Sequence, residues 1–247
     1  MDKAQRFAEF LFLAHEADGE VFLLDSVETE HAVKVLRFAE GDPIQATDGA
    51  GMIFSGVVSK IKKGTALCTV QECRTVPPPS VRIDAYIGIP EKNRFELLCE
   101  ALPPLGVQKI IPFYGENSKK HWWSAGWKSA IRRYERLIRS SVKQSHNPYI
   151  TEISAPVAFD SLRESTRAHE HYIASFDGER GSRLQTLHGQ ASSHCALIVG
   201  PPEGFSPREV EQLQIFRRAS FLSLGKYRLR TEIAAVAAAE LVSHIVS

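Results

Sequence analysis

Hydrophobic and polar positions follow two rhythms along this chain, and the change falls at Pro77-Pro78-Pro79. Ahead of the prolines the segments are short and alternating, the period of a half-buried strand. Residues 44–47 read as a strand after the Glu40-Gly41-Asp42-Pro43 turn. Asp48-Gly49, with Gly51 close behind, is a hairpin signal because these residues tolerate positive φ. Residues 52–60 and 65–74 follow as strands around a Lys62-Lys63-Gly64 turn, and residues 31–38 are a short helical or extended entry carrying Lys34 and Arg37. Residues 1–75 are therefore expected to form a small β-rich domain, with the proline triplet as a stiff, extended linker.

Beyond the prolines the elements lengthen and alternate in type. Val81, Ile83, Ala85, Ile87 and Ile89 mark a strand, residues 91–102 a helix and residues 107–113 a second strand. Residues 170–175, 196–199 and 220–224 are further strands, separated by helical or loop segments. Strand–helix alternation predicts an α/β domain over residues 76–247, its mainly parallel sheet covered on both faces. A helix is predicted over residues 128–144, with Ile131, Tyr134, Ile138 and Val142 at helical spacing toward the core. On a neighbouring face Lys128, Arg132, Arg136, Arg139 and Lys143 recur at three and four. The last helix, residues 231–245, is small and apolar almost all round and so should be buried. Thr231 suits its N-cap, and Glu232 suits its positive end.

Composition narrows the class. Of 247 residues, 43% are apolar and 24% charged, an ordinary globular balance. No stretch reaches the roughly 20 apolar residues of a membrane helix. Residues 7–14 are apolar but short and flanked by acids, so neither signal peptide nor anchor is expected. Cys68, Cys73, Cys99 and Cys195 lack paired ligand spacing and the histidines are scattered, which predicts free thiols in a reducing cytoplasm and no metal.

Charge changes the picture more. The net +1 hides a segregation: residues 119–143 carry eight basic residues and one acidic one, and residues 216–230 add five basic residues and no acid. Two gathered positive patches can attract a polyanion. Trp122, Trp123 and Trp127 stand beside Lys119 and Lys120, a mixture that suits unpaired bases and phosphates. Core or dimer-interface packing accounts for the tryptophans as well.

Two turns carry the candidate chemistry. After the apolar run of residues 196–199 comes Gly200-Pro201-Pro202-Glu203-Gly204-Phe205-Ser206, a strand-to-helix turn whose glycines let a ligand approach the backbone. Open α/β sheets bind ligands at the carboxyl ends of their strands. The second turn is Leu224-Gly225-Lys226-Tyr227-Arg228-Leu229-Arg230-Thr231-Glu232-Ile233-Ala234, a basic loop set between buried elements. No Walker loop, Gly-x-Gly-x-x-Gly or Ser-His-Asp arrangement accompanies them.

The second turn resembles the last motif of the small-subunit ribosomal RNA uridine-N3 methyltransferases, the methyltransferase E family of the SPOUT superfamily. The first is similar to that family's Gly-Pro-Glu-Gly-Gly-Phe-Ser turn, and Gln144-Ser145 to its Gln-Ser motif. Leu36-Arg37, Gly41-Asp42 and Asp48-Gly49 are similar to its N-terminal PUA-like barrel. The resemblance implies a PUA-like RNA-binding barrel over residues 1–75, then a SPOUT domain over residues 76–247 with a C-terminal trefoil knot. It further implies S-adenosylmethionine as cofactor, ribosomal RNA within a small-subunit particle as partner, and a homodimer. By the same resemblance Ile198, Val199, Gly200, Pro201, Glu203 and Gly204 would hold the cofactor with Leu222, Ser223, Leu224, Gly225, Tyr227, Leu229 and Thr231. Arg230 would be catalytic, Arg228 would grip phosphate or substitute for it, and Glu232 would orient Arg230 or only start the helix. Lys34, Arg37, Lys128, Arg132, Arg136, Arg139 and Lys143 would meet RNA.

The chain departs from the family pattern at Ala101, Pro104, Asn117, Asn147, Pro202 and Glu203, largely at polar positions. Three other readings stay open: a non-catalytic RNA-binding relative, a SPOUT methyltransferase with a different RNA target, and a Rossmann-type nucleotide or oxidoreductase domain.

Overall fold

A computed structural model describes residues 10–62, 64–118, 126–174, 193–216 and 219–246. Its contacts fall into two units, one of residues up to Pro78 with Val142–Ile150, the other of Pro79–Ser141 with Thr151–Ser247. Among the described residues no helix is long and apolar enough to cross a membrane.

The first unit is a closed barrel of five strands, β1 (Leu11–Ala17), β2 (Val21–Leu24), β3 (Pro43–Thr47), β4 (Met52–Lys62) and β5 (Thr65–Thr75), in the order β1-β2-β5-β4-β3. Every neighbouring pair is antiparallel except β1 with β3, whose parallel pairing from Leu11↔Gln45 to Leu13↔Thr47 closes the ring. Closure leaves no strand edge. Phe12, Phe22, Leu24, Ile44, Ala46 and Phe54 fill the interior, with Phe22 and Phe54 stacked at 5.8 Å. The first two strands were not expected, since Leu11–Ala14 and Val21–Leu24 are unbroken apolar runs without the polar alternation of the later strands. The entry is helical: Asp25 caps α1 (Ser26–Glu30) by accepting from the Val27 and Glu28 amides, and a π-helical stretch follows over His31–Val35.

A segment from mid-chain completes this unit. Thr47 Oγ1 donates to the Pro148 carbonyl at 3.1 Å, the Ile150 amide to Gly49 O at 2.9 Å, and Tyr149 Oη to Val76 O at 2.6 Å. A Cβ on Gly51 would strike the Tyr149 ring, so glycine is required where this segment crosses the hairpin.

The second unit is built on a parallel sheet of seven strands: β6 (Arg82–Gly88), β7 (Val107–Tyr114), β8 (Glu152–Ile153), β9 (Val157–Ala158), β10 (Glu170–Ala174), β11 (His194–Val199) and β12 (Ala219–Leu222). The order is β12-β10-β11-β6-β7-β8, with β9 also on β7. Consecutive residues of β6 and β11 are buried, so both faces are covered, and their unbroken apolar runs have this cause. The helices are α2 (Lys92–Ala101), α3 (Trp127–Gln144), α4 (Leu162–Ser165), α5 (Pro207–Gln214) and α6 (Thr231–Val246). On α3, Tyr134, Ile138 and Val142 are buried as their spacing predicts, and Tyr134 meets the rings of Phe95 at 5.0 Å and Trp127 at 5.7 Å.

This order positions the site. From β6 the chain steps outward to β7, then returns to lay β10, β11 and β12 on the other side. Ala174, Val199 and Leu222, the last residues of those three strands, stand in register. Three loops therefore leave the sheet side by side. The last strand ends at Leu222 and not at residue 224, because Ser223 and Leu224 leave the sheet to enter the loop.

Candidate functional site

The β11 loop is held from several sides. The Gly204 amide donates to Pro201 O at 2.8 Å, with Gly204 at φ +87°. Ser206 caps α5 in a reciprocal box: its Oγ accepts from the Glu209 amide, and the Glu209 carboxylate accepts from the Ser206 amide at 2.8 Å. The same carboxylate accepts from the Glu116 amide at 2.7 Å, tying the turn to the loop after β7. A Cβ on Gly88 would strike the Pro201 backbone, so the end of β6 presses directly on the turn. Phe205 lies parallel to Phe113 at 6.4 Å.

The loop after β12 hooks onto this turn. Arg228 Nη2 donates to Pro202 O at 3.0 Å, and Thr231 Oγ1 donates to Gly200 O at 3.0 Å. Thr231 was expected to cap α6 by accepting from its first turn. Its hydroxyl instead donates across to the other loop, giving the part-buried Gly200 carbonyl just past the end of β11 a donor. Gly225 sits at φ +143°, a conformation open to glycine, and its Cβ position faces empty space.

The loops enclose two cavities. The first, about 310 Å³, is bounded by Ala174, the Gly200-Pro201-Pro202 turn, Phe205, Leu224, Gly225, Tyr227, Arg228, Leu229 and Ala234. The second, about 330 Å³, shares Pro202, Arg228, Leu229 and Thr231 with the first and adds Arg230, Glu203, Glu91, Arg94 and Glu232. Its walls thus carry three arginines and three glutamates. Arg94 Nη1 donates to Glu232 Oε1 at 2.8 Å, and Arg94 Nε reaches Glu91 at 3.4 Å. The Arg230 side chain is exposed and has no hydrogen-bonded partner among the described residues.

Nine of the thirteen residues expected to hold a cofactor line the first cavity: Val199, Gly200, Pro201, Gly204, Leu224, Gly225, Tyr227, Leu229 and Thr231. Ile198 and Leu222 are buried and line neither cavity. Ser223 lines neither cavity, and Glu203 lines the second. Pro202, Phe205 and Ala234, which lie in the two motifs but were not assigned to the cofactor, also line the first cavity, as do Ala174 and Val210, which no motif marked. Arg94 was missed because nothing local distinguishes an arginine on α2 from a surface one.

The basic candidates divide. On α3 Lys128, Arg132 and Arg136 are exposed and Arg139 is half-buried. Lys143 is turned inward: its Nζ donates to Glu28 Oε1 at 2.8 Å within the barrel unit, its side chain 17% exposed and that of Glu28 4%. Lys34 pairs with Glu30 at 2.8 Å on the surface, and Arg37 adopts φ +61°. Trp127 packs against Phe95 at 6.2 Å, a core contact. Lys119, Lys120, Trp122, Trp123, Arg217 and Arg218 lie outside the described residues.

Comparison with known proteins agrees with this geometry. Residues 77–243 match the RNA methyltransferase domain family, and residues 24–71 match the PUA domain of RNA methyltransferases. The chain is 26% identical over 233 residues to the ribosomal RNA small subunit methyltransferase E of Mycobacterium bovis, covering 93% of this chain and 88% of that protein. A methyltransferase of Legionella pneumophila, solved with S-adenosylmethionine, superposes with a TM-score of 0.82 at 22% identity, over 97% of this chain and 98% of that one. The Neisseria gonorrhoeae ribosomal RNA small subunit methyltransferase E, also bound to S-adenosyl methionine, gives 0.78 at 20%, over 93% and 94%. At such identities the two structures establish the fold, a PUA-like barrel followed by a parallel α/β domain.

Proposed function

Because the chain belongs to the RNA methyltransferase domain family, which covers its residues 77–243, we propose that it methylates N3 of one uridine in small-subunit ribosomal RNA, with S-adenosylmethionine as donor. The observation that carries the reading is the pair of adjoining cavities, one walled by main chain and apolar carbon, the other by arginine and glutamate. Relatives of the same family that bind S-adenosylmethionine or bear the ribosomal RNA methyltransferase name support it.

The first cavity suits such a cofactor. Its volume of about 310 Å³ is at the lower end of small-molecule sites, roughly 300–1,000 Å³. A side chain on Gly225 would meet no atom of the chain and would project into free space at this cavity, which only glycine leaves open. Gly200, Gly204, Gly225 and Leu224 would present backbone to the group, with Phe205 and Ala234 supplying apolar walls. Bound there, the sulfonium cofactor supplies an activated methyl group, so no covalent enzyme intermediate is needed.

The second cavity would take the base. Uracil N3 carries a proton and is a poor nucleophile until it leaves. Charge then spreads onto O2 and O4, and a fixed cation beside them favours the reactive form. Arg230 is the residue assigned to that task. Arg228, anchored on Pro202 O, holds the two loops in register and can also grip phosphate. The barrel and the exposed part of the α3 stripe would hold the surrounding RNA. A homodimer, a knotted C-terminal region and an assembled small-subunit particle as substrate belong to the same reading.

The test has two parts. Mass-spectrometric mapping of ribosomal RNA from cells lacking the protein should reveal one uridine that has lost its N3 methyl group. In single-turnover transfer at saturating particle and cofactor, Arg230→Ala should then lose about 10²-fold or more, the scale of removing one preorganised charge-stabilising donor. Lysine should rescue only partly, lacking the planar fork that bridges two oxygens. An unchanged modification map refutes the reading, and near-normal turnover of bound Arg230→Ala moves the role to Arg228.

A further inference from the structure

We propose that Glu232 is the acceptor of the N3 proton and the residue that selects uracil, with Arg94 as its positioning residue; the inference rests on the methyl-transfer reading above. Glu232 is the second residue of α6, and its side chain is only 7% exposed. Its two oxygens differ. Oε1 takes the 2.8 Å bond from Arg94 Nη1, whereas Oε2 is buried and has no hydrogen-bond partner among the described residues. A buried carboxylate oxygen without a donor is costly and uncommon, and on a residue that lines a cavity it is a natural acceptor for a donor on the ligand.

The cavity supplies the context. Glu232 lines it together with Arg228 and Arg230. The imide edge of uracil presents an acceptor, a donor and an acceptor: O2, N3–H and O4. Its complement is a donor, an acceptor and a donor. Arg228 and Arg230 would be the donors, and Glu232 Oε2 the acceptor, since all three residues line this one cavity. Cytosine would set its N3 lone pair against the carboxylate and be repelled. Arg94, held also by Glu91 on its other side, keeps Oε1 occupied and so leaves Oε2 for the base.

The chemistry balances. The N3–H bond breaks, its proton passes to Glu232 Oε2, and the electron pair stays on the uracil, spread over O2 and O4 toward the arginines. The proton must go first, and the N3 edge must then turn from the carboxyl group toward the adjoining cavity, since proton and methyl group use the same in-plane direction on N3. The N3 pair then takes the methyl group from the sulfonium cofactor, whose carbon–sulfur bond breaks with its electrons left on sulfur. Glu232 finally releases the proton to water.

Glu232→Gln keeps the shape and the bond to Arg94 but cannot take a proton. Its single-turnover rate on small-subunit particles should fall by about 10²- to 10⁴-fold and rise with pH as hydroxide replaces the missing base. Glu232→Asp guards against misfolding; it should slow transfer without that alkaline rise. A second readout needs no turnover: cofactor-free binding of a ribosomal RNA oligonucleotide bearing the mapped uridine, or cytidine in its place. The unmodified protein should prefer uridine by about tenfold or more, and Glu232→Gln, whose amide can turn either atom to the base, should lose the preference. A Gln variant with an unaltered rate and pH profile, or with the preference intact, overturns the proposal. An unmodified chain that transfers no methyl group refutes the underlying reading instead.

Discussion

Single residues in this site act through backbone shape as much as through side chains. Gly225 illustrates the difference. At φ +143° any side chain there is strained, by roughly 1–3 kcal/mol, whether or not it meets a ligand. Gly225→Ala and Gly225→Val share that penalty and differ in bulk. Calorimetry should show Gly225→Val losing S-adenosylmethionine binding far more than Gly225→Ala, with both melting cooperatively. Equal affinities in the two variants would remove Gly225 from the cavity wall and leave it a purely conformational role. Thr231 acts similarly through one bond, its hydroxyl fastening α6 to the carbonyl of Gly200.

Among the elements, α3 is the one whose charge pattern and burial disagree most usefully. Its basic residues recur evenly in the sequence, yet they are not equivalent. Replacing Arg132, Arg136 and Arg139 by Gln should weaken RNA binding and flatten its salt dependence by roughly 0.7–0.9 in log–log slope per lost phosphate contact. Lys143→Met should do neither. It leaves Glu28 buried without its cation and should destabilise the barrel unit by about 3 kcal/mol, read from denaturant unfolding. A changed salt slope for folded Lys143→Met would return that lysine to the RNA-facing set. The helix termini matter in the same way: the box of Ser206 and Glu209 starts α5 and fixes the turn that walls the first cavity.

At the scale of the molecule, three of the four cysteines lie in cores of the two units, and Cys73 alone is exposed. Burial pushes the Cys68 thiol up to about 12, and pushes Cys99 and Cys195 up as well. A raised thiol pKa leaves little thiolate at neutral pH, and the thiolate is the reactive form. Alkylation of the native protein should therefore modify one thiol, Cys73, and four after denaturation, counted by intact mass. Rapid native labelling of Cys68 would indicate that the barrel opens. The barrel depends on Val142–Ile150, so a fragment ending at Pro78 should melt well below the barrel of the whole chain, losing the bonds to Pro148, Tyr149 and Ile150.

The sequence by itself determined the types of most of the longer elements, because local periodicity and turn chemistry act over a few residues. The hairpin glycines, the apolar strands β6 and β11, the two faces of α3 and the two turns that wall the cavities were all legible there. Even Thr231 and Glu232 were marked at a helix start, although not for the bonds they make. What only the tertiary structure decided depends on partners distant in the chain. The parallel pairing of β1 with β3 was hidden, because closure of a ring has no local signature. The same holds for the inward turn of Lys143 toward Glu28 and for the docking of Val142–Ile150 on the barrel hairpin. Arg94 meets Glu232 across a separation of 138 residues, and Thr231 reaches Gly200 across 31. Charge and hydropathy state what a side chain can do, whereas packing decides which atom is left free to do it. At Glu232 that atom is Oε2.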